Sequence, residues 1–141
     1  MKVFNKKGLS ALAAVAILAA ACGGSTASTA GKTLTVGISL PLNGSSLAAA
    51  GPARDGALLA IKEASIEGYT LKAKVLDHAI EGAHNPGQAA ADMLTFVGDE
   101  TVVAVVGPFN SASGKAQIPV SSEAGLLQCS PSNTAPGLTK G

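Results

Sequence analysis

Hydrophobic and polar positions along residues 33–141 predict four strands separated by three helices. Strands are predicted where apolar residues run continuously or alternate with polar ones, and helices where apolar residues recur every three or four positions. The second strand alternates, which is typical of a half-exposed strand near a sheet edge, whereas the third is continuously apolar, which is typical of a central parallel strand. The predicted strands are 33–40, 70–77, 101–107 and 126–129.

The helix limits are predicted from turn residues and proline. Pro52 suits the first turn of the first helix. Asn85 and Pro86 are typical of the N-cap and first position of the second helix. Gly114 and Pro119 weaken the pattern of the third helix without abolishing it. The predicted helices are 52–67, 86–97 and 112–124.

Alternation of strands and helices predicts an α/β fold, a doubly wound parallel sheet of Rossmann type with strand order 2-1-3-4. Ligands of such sheets bind beyond the carboxyl ends of the strands. Three loops are expected at that edge, 41–51, 108–111 and 130–136, and all are rich in Ser, Asn, Thr or Pro. They are therefore the candidates for a binding site.

The first 32 residues predict export and lipid attachment. A short basic segment precedes an apolar run at 9–20, and AAC follows at 20–22, so we interpret 1–21 as a signal peptide. The small residues before Cys22 are typical of a bacterial lipoprotein signal, with lipid on the cysteine sulfur. Residues 22–32 are then the lipidated cysteine and a flexible tether. The alternatives are an ordinary signal peptide and, given the short apolar run, less readily a transmembrane helix.

Charge and aromatic content argue against nucleic-acid binding. The chain carries 10 basic and 9 acidic residues, three Phe, one Tyr and no Trp. Such a balance disfavours a nucleic-acid surface, which needs clustered basic charge and aromatic stacking.

If Cys22 is lipidated, Cys129 has no partner, so we expect no disulfide and a small buried hydrophobe at Cys129.

The loop GPFNSASGKA at 107–116 resembles a phosphate-binding loop only superficially. Six residues separate Gly107 from Gly114, where that motif has four, and Ala116 stands where its Mg²⁺-binding hydroxyl would be. A nucleotide and a metal are therefore not predicted. The more general expectation is that Ser111 caps a helix whose first N–H groups bind an anion, a carboxylate included. Taken alone, Ser111 is better explained as a simple N-cap.

The loop SPSNTAP at 130–136 adds short polar groups at the neighbouring strand end. Ser130, Ser132, Asn133 and Thr134 can converge with Ser111 on one small polar ligand. Neutral hydroxyl and N–H groups would bind a zwitterion without chemistry. The alternative is a turn whose Ser and Asn side chains satisfy their own backbone.

These segments together resemble the periplasmic-binding-protein-like type I family, on its leucine/isoleucine/valine-binding branch. The resemblance implies that Ser111 contacts an amino-acid ligand, that Ser132 offers its carbonyl to the ligand ammonium, and that Thr134 offers its hydroxyl and N–H. Asn110 and Asn133 complete the implied ligand-binding set. The resemblance rests on TLTVGISLPLNGSSLAAAG, GALLAIKEA, NPGQAAADMLTFV and VVAVVGPFNSASGKAQIPVSSEAGLLQCSPSNTAPGLT.

The resemblance implies a lipid-anchored, extracytoplasmic component of an ABC importer, monomeric and without catalytic activity, cofactor or metal. It binds a branched-chain or related small amino acid between two lobes and delivers it to a membrane permease. Family members are much longer, so residues 33–141 are interpreted as an incomplete first lobe, with the second lobe absent. Amides, urea or aromatic acids are alternative ligands, and a truncated, non-functional remnant is an alternative state.

A metal-dependent enzyme is the other alternative. Asp77, His78, Glu81 and His84 are clustered in sequence, as metal ligands often are. They fall in a segment rich in Gly and Ala without a metal-binding helix motif, so a solvated loop is expected instead. Cys129 lacks a histidine close in sequence, which disfavours a thiol nucleophile.

Overall fold

The computed structural model describes residues 31–140, which form an α/β domain. Two short 3-10 helices, Gly44–Ser46 and Pro136–Leu138, lie in the loops after β1 and β6. The strands are β1 (Lys32–Leu40), β2 (Tyr69–Asp77), β3 (Ala79–Ile80), β4 (Ala83–His84), β5 (Val102–Val106) and β6 (Leu127–Cys129), and the helices are α1 (Leu47–Glu63), α2 (Pro86–Val97) and α3 (Ser111–Glu123).

The main sheet has the order β2-β1-β5-β6, and every neighbouring pair is parallel. This confirms the predicted order 2-1-3-4, because β5 and β6 are the third and fourth strands of the prediction. The short strands β3 and β4 form a separate antiparallel hairpin, which the sequence did not predict. Because all four main strands run in the same direction, the loops after β1, β2, β5 and β6 meet at one edge.

Two apolar clusters, built from different helices, hold the sheet. Met93 and Phe96 of α2 pack with Val102 and Val105 of β5. Ile38 and Leu40 of β1 pack with Ala50 of α1, and further α1 side chains pack around them. Successive residues of a strand point to opposite faces, so a strand covered by apolar side chains on both faces needs apolar residues at successive positions. This requirement is why β5 has a continuous apolar sequence.

Helix α1 begins five residues earlier than predicted, at Leu47, and Pro52 lies inside it. The prediction that Pro52 belongs to the first turn is therefore wrong. Leu47 and the three alanines that follow are strong helix formers, and they extend the helix toward β1. The cost is the hydrogen bond that the missing Pro52 N–H would have donated to the carbonyl of Ala48. In α2, Asn85 accepts a hydrogen bond from the N–H of Gln88 at 2.9 Å, which confirms the predicted N-cap.

Strand β6 is less buried than predicted. It is an outer strand of the described sheet, so one of its sides lacks a neighbouring strand among residues 31–140. Leu127 is 68% exposed, and Cys129 is exposed and free. The prediction that Cys129 packs as a small buried hydrophobe is therefore wrong.

The helices also bear on membrane association. Among residues 31–140, no helix is both long and apolar enough to cross a membrane. The predicted signal peptide, the lipidated Cys22 and most of the tether lie outside the described residues.

Two glycines provide a matched test of packing. A Cβ at Gly37 of β1 would lie 2.9 Å from ring atoms of the fully buried Phe96, whereas a Cβ at Gly56 of α1 would meet open space. We expect Gly37→Ala to lower the free energy of unfolding by about 1–3 kcal/mol through overpacking. We expect Gly56→Ala to raise it by about 0.5–1 kcal/mol through helix propensity. Urea denaturation of both variants measures the difference, and equal stabilities would contradict the packing of Phe96 on Gly37.

Candidate functional site

Two serines join the loops that follow β5 and β6. Ser130 donates a hydrogen bond to the carbonyl of Pro108 at 2.6 Å, and its oxygen accepts from the N–H groups of Ser132 at 3.2 Å and Asn133 at 2.9 Å. Ser130 therefore shapes its own loop, as the turn interpretation requires, and also binds this loop to the neighbouring one. Both loops are thereby held in one arrangement.

Ser111 makes the second connection between these loops. Its hydroxyl oxygen accepts hydrogen bonds from the N–H groups of Thr134 and Ala135, both at 3.2 Å. Ser111 is the first residue of α3, and the N-cap is Asn110, whose side chain makes no capping hydrogen bond. The prediction that Ser111 is the N-cap is therefore wrong. Its hydroxyl points across to the loop after β6 instead of back to its own helix.

The N-terminus of α3 lies at the carboxyl edge of the sheet. The N–H of Gly114 already bonds to the carbonyl of Asn110, at 3.0 Å. The N–H groups of the preceding first turn have no carbonyl partner within the helix. Together with the helix dipole they favour an anionic group at this point. The structure therefore brings Ser111 and Thr134 together at a helix start, and Ser132 lies in the same loop as Thr134. That these residues bind a ligand stays a prediction.

Asn110 and Asn133 are placed differently. The side-chain oxygen of each is buried and, among residues 31–140, has no hydrogen-bond partner, and the same is true of the Ser113 hydroxyl. The Asn133 amide nitrogen packs directly against Gly114, where a Cβ would collide with it. Asn133 therefore contacts helix α3 with its side chain, and both asparagines contribute buried polar atoms rather than exposed ones.

Asp77 fixes the loop that follows β1. Its carboxylate accepts hydrogen bonds from the N–H of Leu42 at 2.7 Å, the side-chain amide of Asn43 at 2.8 Å and the N–H of Ala79 at 2.8 Å. Burial alone would raise the pKa of Asp77, but these donors favour the carboxylate and the net pKa is lowered. Asp77 therefore ties the end of β2 to this loop and is engaged as an acceptor.

His78 does not lie in a solvated loop, contrary to the prediction. It is 0% exposed, and its Nδ1 lies 3.0 Å from the hydroxyl of Ser39. Burial lowers the pKa of His78 to about 4, and the charge of His84 adds to this, although the nearby Asp77 favours the protonated form. The predicted loop is instead the hairpin β3–β4, and the turn between its strands packs against Gly44.

The cluster considered as a metal site is dispersed in the structure. His78 is buried against Ser39, whereas Glu81 and His84 are exposed. Asp77 is occupied by three hydrogen-bond donors. In the described part of the chain, no three His, Cys, Asp or Glu side chains are grouped so that they could hold a metal ion.

Sequence reasoning missed a buried polar network between the sheet and helices α2 and α3. Ser39, Asp92 and Gln117 are each at most 2% exposed and share hydrogen bonds through the Ser39 hydroxyl. Burial raises the pKa of Asp92, while hydrogen bonds from Gln88 and Ser39 oppose that shift. A signal for Asp92 was present, because it falls on the apolar stripe that Ala89, Met93 and Phe96 form at helical spacing.

A concavity lies beside the outer strand β6. It has a volume of about 580 Å³ and is bounded by α3, β6 and the segment 134–139. It shares Ser130, Asn133 and Thr134 with the candidate site but does not include Ser111. This groove is therefore adjacent to the candidate site and separate from the helix start.

Comparison with known proteins identifies the family. No protein-family model matches the sequence. The chain is 34% identical over 107 residues to the Leu/Ile/Val-binding protein BraC3 of Rhizobium johnstonii, a match that spans 76% of this chain and 29% of that protein. It superposes with a TM-score of 0.68 and 30% identity on the branched-chain amino acid transporter substrate-binding protein LivJ of Streptococcus pneumoniae in complex with isoleucine, covering 77% of this chain and 31% of that one.

The chain belongs to the leucine/isoleucine/valine-binding protein family. Its fold is that of the type I periplasmic binding proteins, which confirms the predicted fold class. A solute-binding protein of an ABC transporter from R. palustris, solved with 4-hydroxybenzoate, has the same fold at 19% identity and a TM-score of 0.65, covering 77% of this chain and 29% of that one. The chain spans about 30% of the length of these relatives.

Protonation of His78 provides a test of its burial in the folded protein. Its pKa is about 4 in the folded state and near 6.5 in the unfolded state, so the neutral form stabilises the fold fully above pH 6.5. As the pH falls from 6.5 toward 4, only the unfolded chain gains the proton, and stability is lost by up to about 1.4 kcal/mol per pH unit.

We therefore expect the unfolding free energy to fall by about 2–3 kcal/mol more between pH 7 and 4.5 in the unsubstituted protein than in His78→Gln. The raised pKa of Asp92 acts with the opposite sign, and the lowered pKa of Asp77 acts below about pH 3.8, but both are common to the two proteins. Chemical denaturation at each pH measures the difference. The exposed His84→Gln is the control, and the idea fails if it removes as much pH dependence as His78→Gln.

Proposed function

We propose that this protein is the solute-binding component of an ABC importer and that it binds a branched-chain or related small amino acid. The observation that carries the proposal is the junction of two loops at the start of α3, made by Ser111 and Ser130. This junction places helix N–H groups and short hydroxyls at the carboxyl edge of a parallel sheet, where ligands of such sheets bind. Relatives whose names or titles specify branched-chain amino acids support the same ligand class.

The proposed roles follow the chemistry of a zwitterion. The ligand carboxylate binds at the N-terminus of α3 beside the Ser111 hydroxyl, where N–H groups and the helix dipole favour negative charge. The Ser132 carbonyl accepts from the ligand ammonium. Thr134, which is exposed, offers its hydroxyl, and its N–H is shared between the ligand and Ser111. The 3.2 Å bonds of Ser111 are long, so a charged carboxylate competes well for the same donors.

Asn110 and Asn133 have a different proposed part. Their side-chain oxygens are buried, and the Asn133 N–H is held by Ser130 at 2.9 Å. We assign them to shaping the ligand site: Asn110 sets the start of α3, and Asn133 holds its loop against Gly114. All of these groups are neutral, which suits reversible binding of a solute.

The proposed cellular setting combines the N-terminal signal with the family. Lipid on Cys22 would anchor the protein on the extracytoplasmic side of the cell membrane, and the tether to residue 32 would let the domain reach a permease. Binding between two lobes and closure by a hinge would then present the loaded form to the transporter. We propose a monomer that acts in this cycle without enzymatic activity or cofactor.

The ligand assignment predicts that the full-length protein encoded by the gene binds leucine or isoleucine in isothermal titration calorimetry. Ser111→Ala removes a hydroxyl from the carboxylate subsite, and we expect at least tenfold weaker binding, about 1.4 kcal/mol, as is usual for a hydrogen bond to a charged group. The exposed Ser65→Ala is the control and should leave the affinity unchanged. Binding only of an amide, urea or an aromatic acid in the same titrations would replace the proposed ligand class.

The anchor predicts that Cys22→Ala releases the protein from the membrane fraction. The unsubstituted protein should carry a lipid on Cys22, with residues 1–21 removed, and mass spectrometry of the N-terminal peptide detects both changes. An unlipidated protein cleaved at another position would show an ordinary signal peptide instead. Cys129→Ala is the control, and it should leave the membrane association as it is.

A further inference from the structure

The buried network continues beyond Ser39 to a pair of glutamine side chains. Gln128 of β6 bonds to Gln117 of α3 at 2.8 Å, and Gln117 bonds to Ser39 at 2.9 Å. Ser39 donates in turn to the carboxylate of Asp92 at 2.8 Å. At the other end, the Ser121 hydroxyl lies 2.8 Å from the side-chain oxygen of Gln128. The chain therefore crosses from β6 through α3 and β1 to α2.

Two backbone carbonyls fix the orientation of both amides. The nitrogen of Gln117 donates to the carbonyl of Ala89 at 2.9 Å, and the nitrogen of Gln128 donates to the carbonyl of Gly107 at 3.0 Å. Carbonyl oxygens only accept, so both NH₂ groups are assigned without ambiguity. Each NH₂ group makes two hydrogen bonds and is saturated.

Assigning donors and acceptors in the same way shows that the hydrogen bonds of the network all run in one direction. The Gln128 oxygen and the Ile118 carbonyl both only accept, so the single proton of the Ser121 hydroxyl lies between them, with the shorter contact, 2.8 Å against 3.1 Å, to Gln128. The Ser39 hydroxyl receives a proton from Gln117 and has a single proton of its own, which it gives to Asp92. The third contact of Ser39 must then come from His78 Nδ1–H. Every bond from Ser121 onward donates toward the Asp92 carboxylate, and hydrogen bonds aligned in this way strengthen one another.

This network is attached to the elements that carry the candidate site. The Gly107 carbonyl, which Gln128 holds, lies at the start of the loop that leads to Ser111. Gln128 itself lies two residues before Ser130, which opens the other loop, and Gln117 lies six residues into the helix that Ser111 begins. The amide pair thus connects both loops and α3 from below the sheet edge.

We propose that Gln117 and Gln128 are positioning residues of the ligand site: their amide pair sets the distance between the start of α3 and the loop after β6. The inference rests on the proposed function for its consequence on ligand binding, but the placement of the two loops can be tested without a ligand. The amide pair contributes no contact to the ligand. It acts on Ser111, Ser132 and Thr134 through the backbone.

The test compares Gln128→Met, Gln117→Met and the double variant in the full-length protein. Methionine matches glutamine in length but has no amide, so Gly107 and the partner amide lose their bonds. Leu58→Ala is the control for general destabilisation, because Leu58 packs on the other face of the sheet. Hydrogen exchange of peptides over 107–111 and 130–135 reports the loops, and titration with leucine reports the site.

We expect at least tenfold faster exchange in both peptides and at least tenfold weaker leucine binding for Gln128→Met. Leu58→Ala, at comparable loss of stability, should change neither. The double variant should lose less than the sum of the two single variants, because each single variant already breaks the amide–amide bond. Loop exchange and affinity equal to those of Leu58→Ala would overturn the proposal and leave the two glutamines a purely structural role.

Two further measurements test the proposal if Gln128→Met does not fold or if the protein binds no amino acid. If Gln128→Met does not fold, Ser121→Ala removes only the outermost donor, and the exposed Ser122→Ala on the same helix is its matched control. Faster loop exchange in Ser121→Ala but not in Ser122→Ala supports the proposal, and equal exchange overturns it. If the unsubstituted protein binds no amino acid, the proposed function fails by itself, and the loop exchange alone decides whether the glutamines position the loops.

Discussion

The structure depends on the buried hydroxyl of Ser39, at which four elements of the domain meet. Its single oxygen donates to Asp92 and lies within 3.0 Å of both His78 and Gln117. A buried polar group without a partner costs about 1–3 kcal/mol. The end of β2, helix α2 and helix α3 must therefore approach β1 in an arrangement that keeps the three contacts of the Ser39 hydroxyl.

The two faces of the sheet are therefore held by different interactions. On the α1 face, apolar side chains surround Ile38 and Leu40, and apolar packing alone tolerates small shifts. On the other face, the apolar cluster at Phe96 lies beside the polar network, and hydrogen bonds tolerate far smaller errors in distance and angle. Helix α3, which begins at Ser111, packs on the face with the stricter geometry.

The fold was largely predictable because apolar residues in the sequence mark the strands that become buried. A continuous apolar run identified β5 as a central strand, and Asn85 identified the start of α2. The failures have different causes, which are local in α1 and tertiary at His78 and Cys129. Pro52 is tolerated inside α1 because the residues before it are strong helix formers. His78 resembled a loop residue until the fold placed Ser39 against it, and Cys129 is exposed because β6 is an outer strand.

The sequence predicted which residues form the candidate site, but not how the loops that carry them are joined. Ser111, Ser132 and Thr134 were found because they follow strand ends, yet Ser111 binds the opposite loop instead of its own helix. Helix α3 shows why the arrangement of the site could not be predicted from the sequence. Its buried face carries Ser113, Gln117 and Ser121 in place of an apolar stripe, so hydrophobic periodicity is weakest in the helix that matters most. A polar face must find matching partners and not merely exclude water, so α3 can dock in few ways. The start of α3 is therefore held in one position relative to the loop after β6.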